Sequence, residues 1–394
     1  MHRPPPAPTT TDRRPFLPAA EGLRAVAATG ILITHVAFQT GVPAHSWQGR
    51  ILTRFDFFVP VFFALSALLL WRRYGNPTPP TAGQWRRYTR SRIIRLYPVY
   101  LLLIGIVVLF HQPAFRVDPR TILATGVFAQ LYVPHGLAPG LTHLWSLAVE
   151  VAFYVVLPLA AILLRRCSHP VRIRILVVLA ALSLSWGLLT PFDAVAHRWQ
   201  LNWQLFPPAY TPWFIVGMLA AEYETAPPRW LVVLCRRPIW PLLVGVAALV
   251  CAATPVVAPP GLAHPTGAQF AAKIFLGTVF AAAWVWPVVF TPATSWFYRW
   301  LSSGLLLWLG SISYGIFLYH LPLLEHLMAL SAISPFHGNT LLIGAVTWMA
   351  SVIVAYASYE WVEDPLRRLS GTVSTSKHAQ AMSPTAVTKG ASPA

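Results

Sequence analysis

The sequence predicts an all-α integral membrane protein, a bundle of about ten transmembrane helices with both termini in the cytoplasm. Three observations predict it. Of the 394 residues 56% are hydrophobic and only 10% are charged, and the mean hydropathy of +0.57 excludes a water-soluble globule. The apolar residues gather in runs of about 17 to 25, the length that a helix rising about 1.5 Å per residue needs to cross about 30 Å of hydrocarbon. Arginines concentrate in alternate segments between those runs, as they do in loops retained on the cytoplasmic side.

Taken in chain order, residues 1–16 are rich in Pro and Thr and are expected to form a disordered arm, because they hold too little apolar surface to build a core. Residues 17–368 form the transmembrane domain. Its first span covers 19–40; Arg24 and His35 interrupt the apolar stretch, which argues against a cleaved signal peptide. Further spans are expected at 52–71, 96–111, 143–164, 173–190, 208–223, 239–257, 269–289, 305–330 and 339–361. The segment from Arg72 to Arg95 holds seven arginines and no acid, and is therefore assigned to the cytoplasm. Counting alternately from it, the other inner segments carry Arg165, Arg166, Arg172 and Arg174, then Arg229, Arg236 and Arg237, then Arg299, then Arg367 and Arg368. The outer loop 112–142 is long, and its middle, TILATGVFAQLYV, reads as a short helix lying against the bundle. Residues 369–394 turn to Ser, Thr, Ala and Pro and are expected to be a disordered tail.

The formal charge of +17 would point to nucleic acid in a soluble protein, but here the arginines report membrane orientation and nucleic acid is excluded as a partner. Cys167, Cys235 and Cys251 stand at scattered spacings without metal-ligand neighbours, so neither a disulfide framework nor a metal site is expected. No internal repeat is visible, which disfavours inverted-repeat transporters, although a glycolipid transporter or flippase would also use intramembrane His, Glu and Arg.

Ionisable groups inside a span are costly and mark function by default. Arg24 and His35 lie eleven residues apart, within about 20° of the same helix face and about 16 Å apart along the axis. That face presents a permanent cation near the cytoplasmic end and an imidazole, suited to general-base work, in the outer half. The alternative is a snorkelling arginine and a structural histidine. Arg92 and Arg95, at i and i+3, place two guanidiniums on one side of a helix at the inner interface, where phosphates are the natural guests unless the pair is ordinary positive-inside flanking. Depth arithmetic puts His35, Asp56, His143, Glu150 and His320 in the outer half, with Tyr314 at middle depth. If their helices adjoin, Asp56 or Glu150 is the acid that orients the His35 base, with His143, Tyr314 and His320 forming a substrate-binding or structural cluster. Buried ion pairs between helices are the competing reading. The acids and arginines of SYEWVEDPLRR, at three- and four-residue spacing, read as a helix-end salt-bridge set.

These residues fall into an ordered series of motifs. It runs from Glu21-Gly22-Leu23-Arg24 with His35 through Phe62-Phe63-Ala64-Leu65-Ser66-Ala67 to Arg92-x-x-Arg95 with Tyr97-Pro98-Val99-Tyr100. It continues in His143-Leu144-Trp145-Ser146-Leu147 with Glu150 and Phe153-Tyr154, then Leu309-Gly310-Ser311-Ile312-Ser313-Tyr314, Tyr319-His320-Leu321-Pro322, and Ser358-Tyr359-Glu360 with Pro365. Over about residues 17–368 the chain resembles the membrane acyltransferase 3 family. It departs at Glu21, where the family more often has Asp, and at Ala67, where a Gly precedes a Phe; neither change removes a functional group.

The resemblance implies an O-acyltransferase of the bacterial inner (plasma) membrane that moves an acyl group, often acetyl, from cytoplasmic acyl-CoA to a hydroxyl. The acceptor is a cell-envelope glycan or glycolipid, or alternatively a secreted small molecule such as a macrolide sugar. It further implies that the histidine at 35 is catalytic and that Arg24, Arg92 and Arg95 serve the donor. Acyl-CoA is then a substrate, and no permanently bound cofactor is expected. Some family members carry a fused hydrolase-like domain after the last span; this chain is expected to work alone or to hand its acyl group to a separate extracytoplasmic acyl-transfer protein.

Overall fold

A computed structural model describes residues 15–75, 81–110, 118–189, 198, 200–257 and 264–369. The N-terminal arm, apart from its last two residues, and the C-terminal tail beyond Leu369 lie outside them. Every regular element among the described residues is helical. The first part of the chain gives α1 (Pro18–Gln39), α2 (Trp47–Thr53), α3 (Phe58–Tyr74), α4 (Ala82–Phe110), α5 (Pro119–Gly126), α6 (Trp145–Leu164) and α7 (His169–Leu184). There follow α8 (Thr211–Tyr223), α9 (Arg229–Arg236), α10 (Ile239–Ala252), α11 (Gly267–Phe290) and α12 (Trp296–Leu301). The last are α13 (Gly304–Ser311), α14 (Ser313–Leu330), α15 (Thr340–Ser358) and α16 (Asp364–Leu369), the last two joined by a π-turn at Tyr359–Glu363.

Among the described residues seven spans are long and apolar enough to cross a membrane as single units, and two bent pairs raise the number to nine, where about ten were expected. The missing one is 208–223. Its α8 has 13 residues, about 20 Å of helix against about 30 Å of hydrocarbon, because Pro207 and Pro208 hold the preceding turn in a 3-10 conformation. The segment is nonetheless inside the bundle, packed against α3, α7 and α11 with Trp213, Phe214, Ile215 and Val216 buried. The pair α9 and α10 bends by 89° at Arg237-Pro238, where proline cannot continue a helix; α13 and α14 meet at 66° about Ile312.

The helix carrying Arg92 and Arg95 starts at Ala82, well before the apolar run expected at 96. Nothing between 82 and 95 is proline or glycine except Gly83, so the arginine-rich stretch continues the helix beyond the apolar run and both arginines sit within it. Between α4 and α6, α5 and a 3-10 turn at Gln130–Tyr132 occupy the stretch expected to hold a short helix. Tyr97 and Tyr100 of α4 donate their hydroxyls to the Gly126 and Thr125 carbonyls at the end of α5, at 2.9 and 2.6 Å, which ties the loop to the bundle.

Helices α1 and α3 form the centre, each with about two thirds of its most apolar window buried, whereas α7 and α15 present most of their surface to lipid. Small residues bring the central backbones together. A Cβ on Gly217 of α8 would stand 1.9 Å from the Ala64 carbonyl oxygen of α3, and one on Gly310 of α13 would stand 2.1 Å from the Glu21 carbonyl oxygen of α1. These approaches place α8 against α3 and α13 against α1.

Candidate active site

A cleft opens among α1, α3, α4, α6 and α14, and eight polar side chains line it: Arg24, Ser66, Arg95, Ser146, Glu150, Tyr154, Ser313 and Tyr314. Arg24 projects from α1 and is held by Glu21 one turn earlier, at 3.1 Å. Arg95 enters from α4. Arg92, one turn before it, lies over the Tyr154 ring with its guanidinium carbon 5.8 Å from the centroid, and its Nε is buried without a partner. Among the described residues neither Arg92 nor Arg95 is within 4.0 Å of a carboxylate.

Other arginines of the same regions behave differently. Arg72 makes a bidentate pair with Glu224 at 2.8 Å on both oxygens, and Arg172 meets Glu222 at 2.7 Å beside the Trp71 indole, which donates to the same carboxylate at 2.8 Å. Those pairs cross-tie α3, α7 and α8 and use up their charge. Arg95, which lines the cleft, and Arg92 beside it have no such carboxylate among the described residues, and there a multiply charged anion would be favoured.

At the other end of the cleft, Ile31 and Phe317 form part of the wall, and their carbonyls hold two histidines. His35 Nδ1 is 2.9 Å from the Ile31 carbonyl oxygen and 3.0 Å from Nε2 of His320, whose own Nδ1 is 2.7 Å from the Phe317 carbonyl oxygen. His143 completes the group, its ring centroid 5.1 Å from that of His320 and 6.4 Å from that of His35, with Nε2 donating to the Leu318 carbonyl at 3.0 Å. His320 and His143 are buried, whereas His35 is partly exposed. One nitrogen of each ring is committed to a backbone carbonyl, so the three rings act as a hydrogen-bonded cluster rather than as converging ligands.

The structure thus brings His35, His143 and His320 together and separates the two carboxylates from them. Glu150 shares a helix face with His143, but seven residues are about 10 Å of axial rise, enough to move it to the arginine end. There it accepts hydrogen bonds from Ser66 and, at 2.6 Å, from Tyr154. Asp56 stands on a 3-10 turn before α3, where Lys273 of α11 takes its Oδ2 at 2.7 Å and Arg54 lies 3.9 Å away. It is a charged neighbour of His35 without a hydrogen bond to it. The orienting acid expected at His35 is therefore replaced by a backbone carbonyl and a second imidazole. Tyr314 reaches the cleft wall but gives its hydroxyl to the Leu96 carbonyl at 2.9 Å, which fixes α14 to α4 beside Arg95.

Sequence reasoning assigned no role to Lys273, Ser66 or Tyr154. The first had a signal, a lone lysine in an apolar span. Tyr154 follows Glu150 by four residues, a helical pair spacing, whereas Ser66 gives no local sign of its partner.

The family model described as an acyltransferase domain, acyltransferase 3, matches residues 17–360. The chain is 28% identical over 193 residues to the O-acetyltransferase OatA of Staphylococcus aureus, covering 45% of this chain and 30% of that protein. It is 24% identical over 403 residues to the peptidoglycan O-acetyltransferase OatA of Listeria monocytogenes, covering 91% of this chain and 57% of that protein. The chain therefore spans well under two thirds of the length of either relative. No solved structure matches it.

Proposed function

The chain belongs to the acyltransferase 3 family, and on that premise we propose that it is a multi-pass membrane O-acyltransferase that moves an acetyl or other short acyl group from acyl-CoA to a hydroxyl of a cell-envelope glycan. One observation carries the reading: a single cleft is lined by Arg24 and Arg95, with Arg92 one turn from Arg95, and at its other end Ile31 and Phe317 of its wall hold His35 and His320 by their carbonyls. The phosphates of the donor suit Arg92, Arg95 and Arg24, because guanidiniums bind phosphate oxygens bidentately and keep their charge when partly buried. The uncharged pantetheine arm suits the remaining wall, where Phe62, Phe63 and Leu147 lie between the two ends. His35 would act as general base on the acceptor hydroxyl as it attacks the thioester carbonyl. The names of the Staphylococcus and Listeria relatives favour acetyl as the group and peptidoglycan as the glycan.

Arginine placement supports a donor end in the cytoplasm, an acceptor end outside, and both termini inside the plasma membrane, with α8 as the tenth inserted segment. Radiolabelled acetyl-CoA, offered with peptidoglycan oligosaccharides to purified protein in lipid nanodiscs, should label the glycan and release free CoA. Donor turnover that is no faster than in empty nanodiscs refutes the reading.

A further inference from the structure

We propose that His320 is the positioning residue of the base: its Nε2 accepts the Nδ1–H of His35 and so leaves the Nε2 of His35 bare and aimed as the atom that takes the acceptor's proton. The proposal rests on His35 being the base and adds the group that prepares it.

The tautomers follow from the partners. A carbonyl oxygen can only accept, so His320 Nδ1, 2.7 Å from the Phe317 oxygen, carries the proton of that ring. In the neutral imidazole its Nε2 then has a lone pair and no hydrogen. His35 Nδ1 stands 3.0 Å from that lone pair and 2.9 Å from the Ile31 oxygen, and two acceptors facing one nitrogen require it to be the donor. The proton of neutral His35 is therefore on Nδ1, and Nε2 is the free base. The other tautomer of His320 would set two N–H groups against each other at 3.0 Å.

The two anchors of His35 do different things. Ile31 lies four residues earlier on the same helix, and its carbonyl also accepts the backbone N–H of residue 35, so it moves with the ring it holds. His320 comes from α14, across the cleft wall, and fixes the ring relative to the rest of the site. His320 itself is fully buried and fixed by its own helix through Phe317, whose ring also packs on His143 with centroids 5.4 Å apart. A buried imidazole with both nitrogens engaged has no freedom to switch roles, which distinguishes it from the partly exposed His35.

In the reaction, the acceptor hydroxyl oxygen forms a bond to the thioester carbonyl carbon while its proton passes to His35 Nε2. The carbon–sulfur bond breaks with its electron pair on sulfur, and the thiolate takes the proton back from Nε2–H, so ester and free thiol are formed and His35 is again neutral. Between those events His35 is an imidazolium, and its Nδ1–H to His320 becomes a charge-assisted hydrogen bond in a region where hydrocarbon offers no compensation.

Two polar replacements of His320 isolate the Nε2 contact. In His320→Gln the side-chain amide reaches the Nε2 position, with an oxygen that can accept from His35. In His320→Asn the amide reaches only the Nδ1 position, keeping a donor for Phe317 but losing the acceptor for His35. In nanodiscs, with acetyl-CoA and peptidoglycan oligosaccharide as probes, His320→Asn should lower kcat by roughly 10- to 100-fold, the range for outer partners of functional histidines, with both KM values within about twofold. His320→Gln should keep kcat within about fivefold of the parent. Equal losses in the Asn and Gln variants, or a loss carried by KM, each overturns the positioning role. If His35→Ala itself remains active, it is the base assignment that fails; if that variant is dead while His320→Asn is fully active, only the positioning fails.

Discussion

Replacing Arg95 and Arg72 by glutamine should have opposite consequences, although both stand in the same arginine-rich stretch of sequence. Arg95 lines the cleft and has no carboxylate within 4.0 Å among the described residues, and it lies one helical turn from Arg92. Arg95→Gln removes a like-charge neighbour from Arg92, so thermal stability should hold or rise slightly. Donor binding should suffer: a hydrogen bond to a charged group is worth about 1.5–3 kcal/mol, so CoA affinity should fall by roughly 10- to 150-fold. Arg72 is buried and paired on both oxygens of Glu224 at 2.8 Å, with a further bond to the Pro15 carbonyl at 3.1 Å. Arg72→Gln strands that carboxylate. Breaking a buried pair costs about 3–5 kcal/mol, and since the Glu224 side chain is 21% exposed the loss should fall near about 2–3 kcal/mol, with CoA affinity unchanged. Calorimetric titration of CoA into nanodisc samples reads the first effect, and melting followed by tryptophan fluorescence reads the second. Unchanged CoA affinity in Arg95→Gln, or an affinity loss in Arg72→Gln matching that of Arg95→Gln, refutes the division into binding and tying arginines.

Three further outcomes are expected. His35→Ala should abolish acyl transfer while melting within a few degrees of the parent, and retention of more than about 5% of the turnover in a radiolabel assay contradicts its role as base. Gly217→Val should destabilise the bundle by about 3 kcal/mol or more, because its Cβ would meet the Ala64 backbone of α3 at 1.9 Å; a melting temperature equal to the parent's in the same fluorescence assay contradicts the close approach. In a cysteine-free background, Gly83→Cys should resist a membrane-impermeant thiol reagent added outside intact cells and Arg120→Cys should react, both positions being exposed. The reverse labelling pattern overturns the orientation.

The fold class was legible because membrane length and apolar content are properties of runs of residues, and each of the ten runs became helix. What a run does not reveal is where proline stops it. The shortness of α8 and the 89° bend before α10 both turn on prolines, Pro207 and Pro208 in one case and Pro238 in the other. Helix-face arithmetic found Arg24, His35, Arg92 and Arg95, since these relations lie within single helices. It did not reach partners on other helices, or the depth that separates His143 from Glu150 along one of them: Asp56 pairs with Lys273, 217 positions away in sequence, and has no hydrogen bond to His35. Ser66 became a partner of Glu150 only through the packing of α3 beside α6. Tertiary neighbours of this kind are set by small-residue contacts such as Gly217 on Ala64, which no single-helix pattern encodes.

The central claim is that one cleft carries the donor from the arginines to His35. The structure of the protein with a non-transferable thioether analogue of acetyl-CoA tests it most directly. The account predicts phosphate oxygens within hydrogen-bonding distance of Arg92 and Arg95, the chain running past Tyr154 and Phe62, and the acyl carbon near enough to His35 Nε2 for a hydroxyl to bridge them at about 3 Å on each side. Phosphates held elsewhere, or an acyl group lodged away from the three histidines, would contradict it.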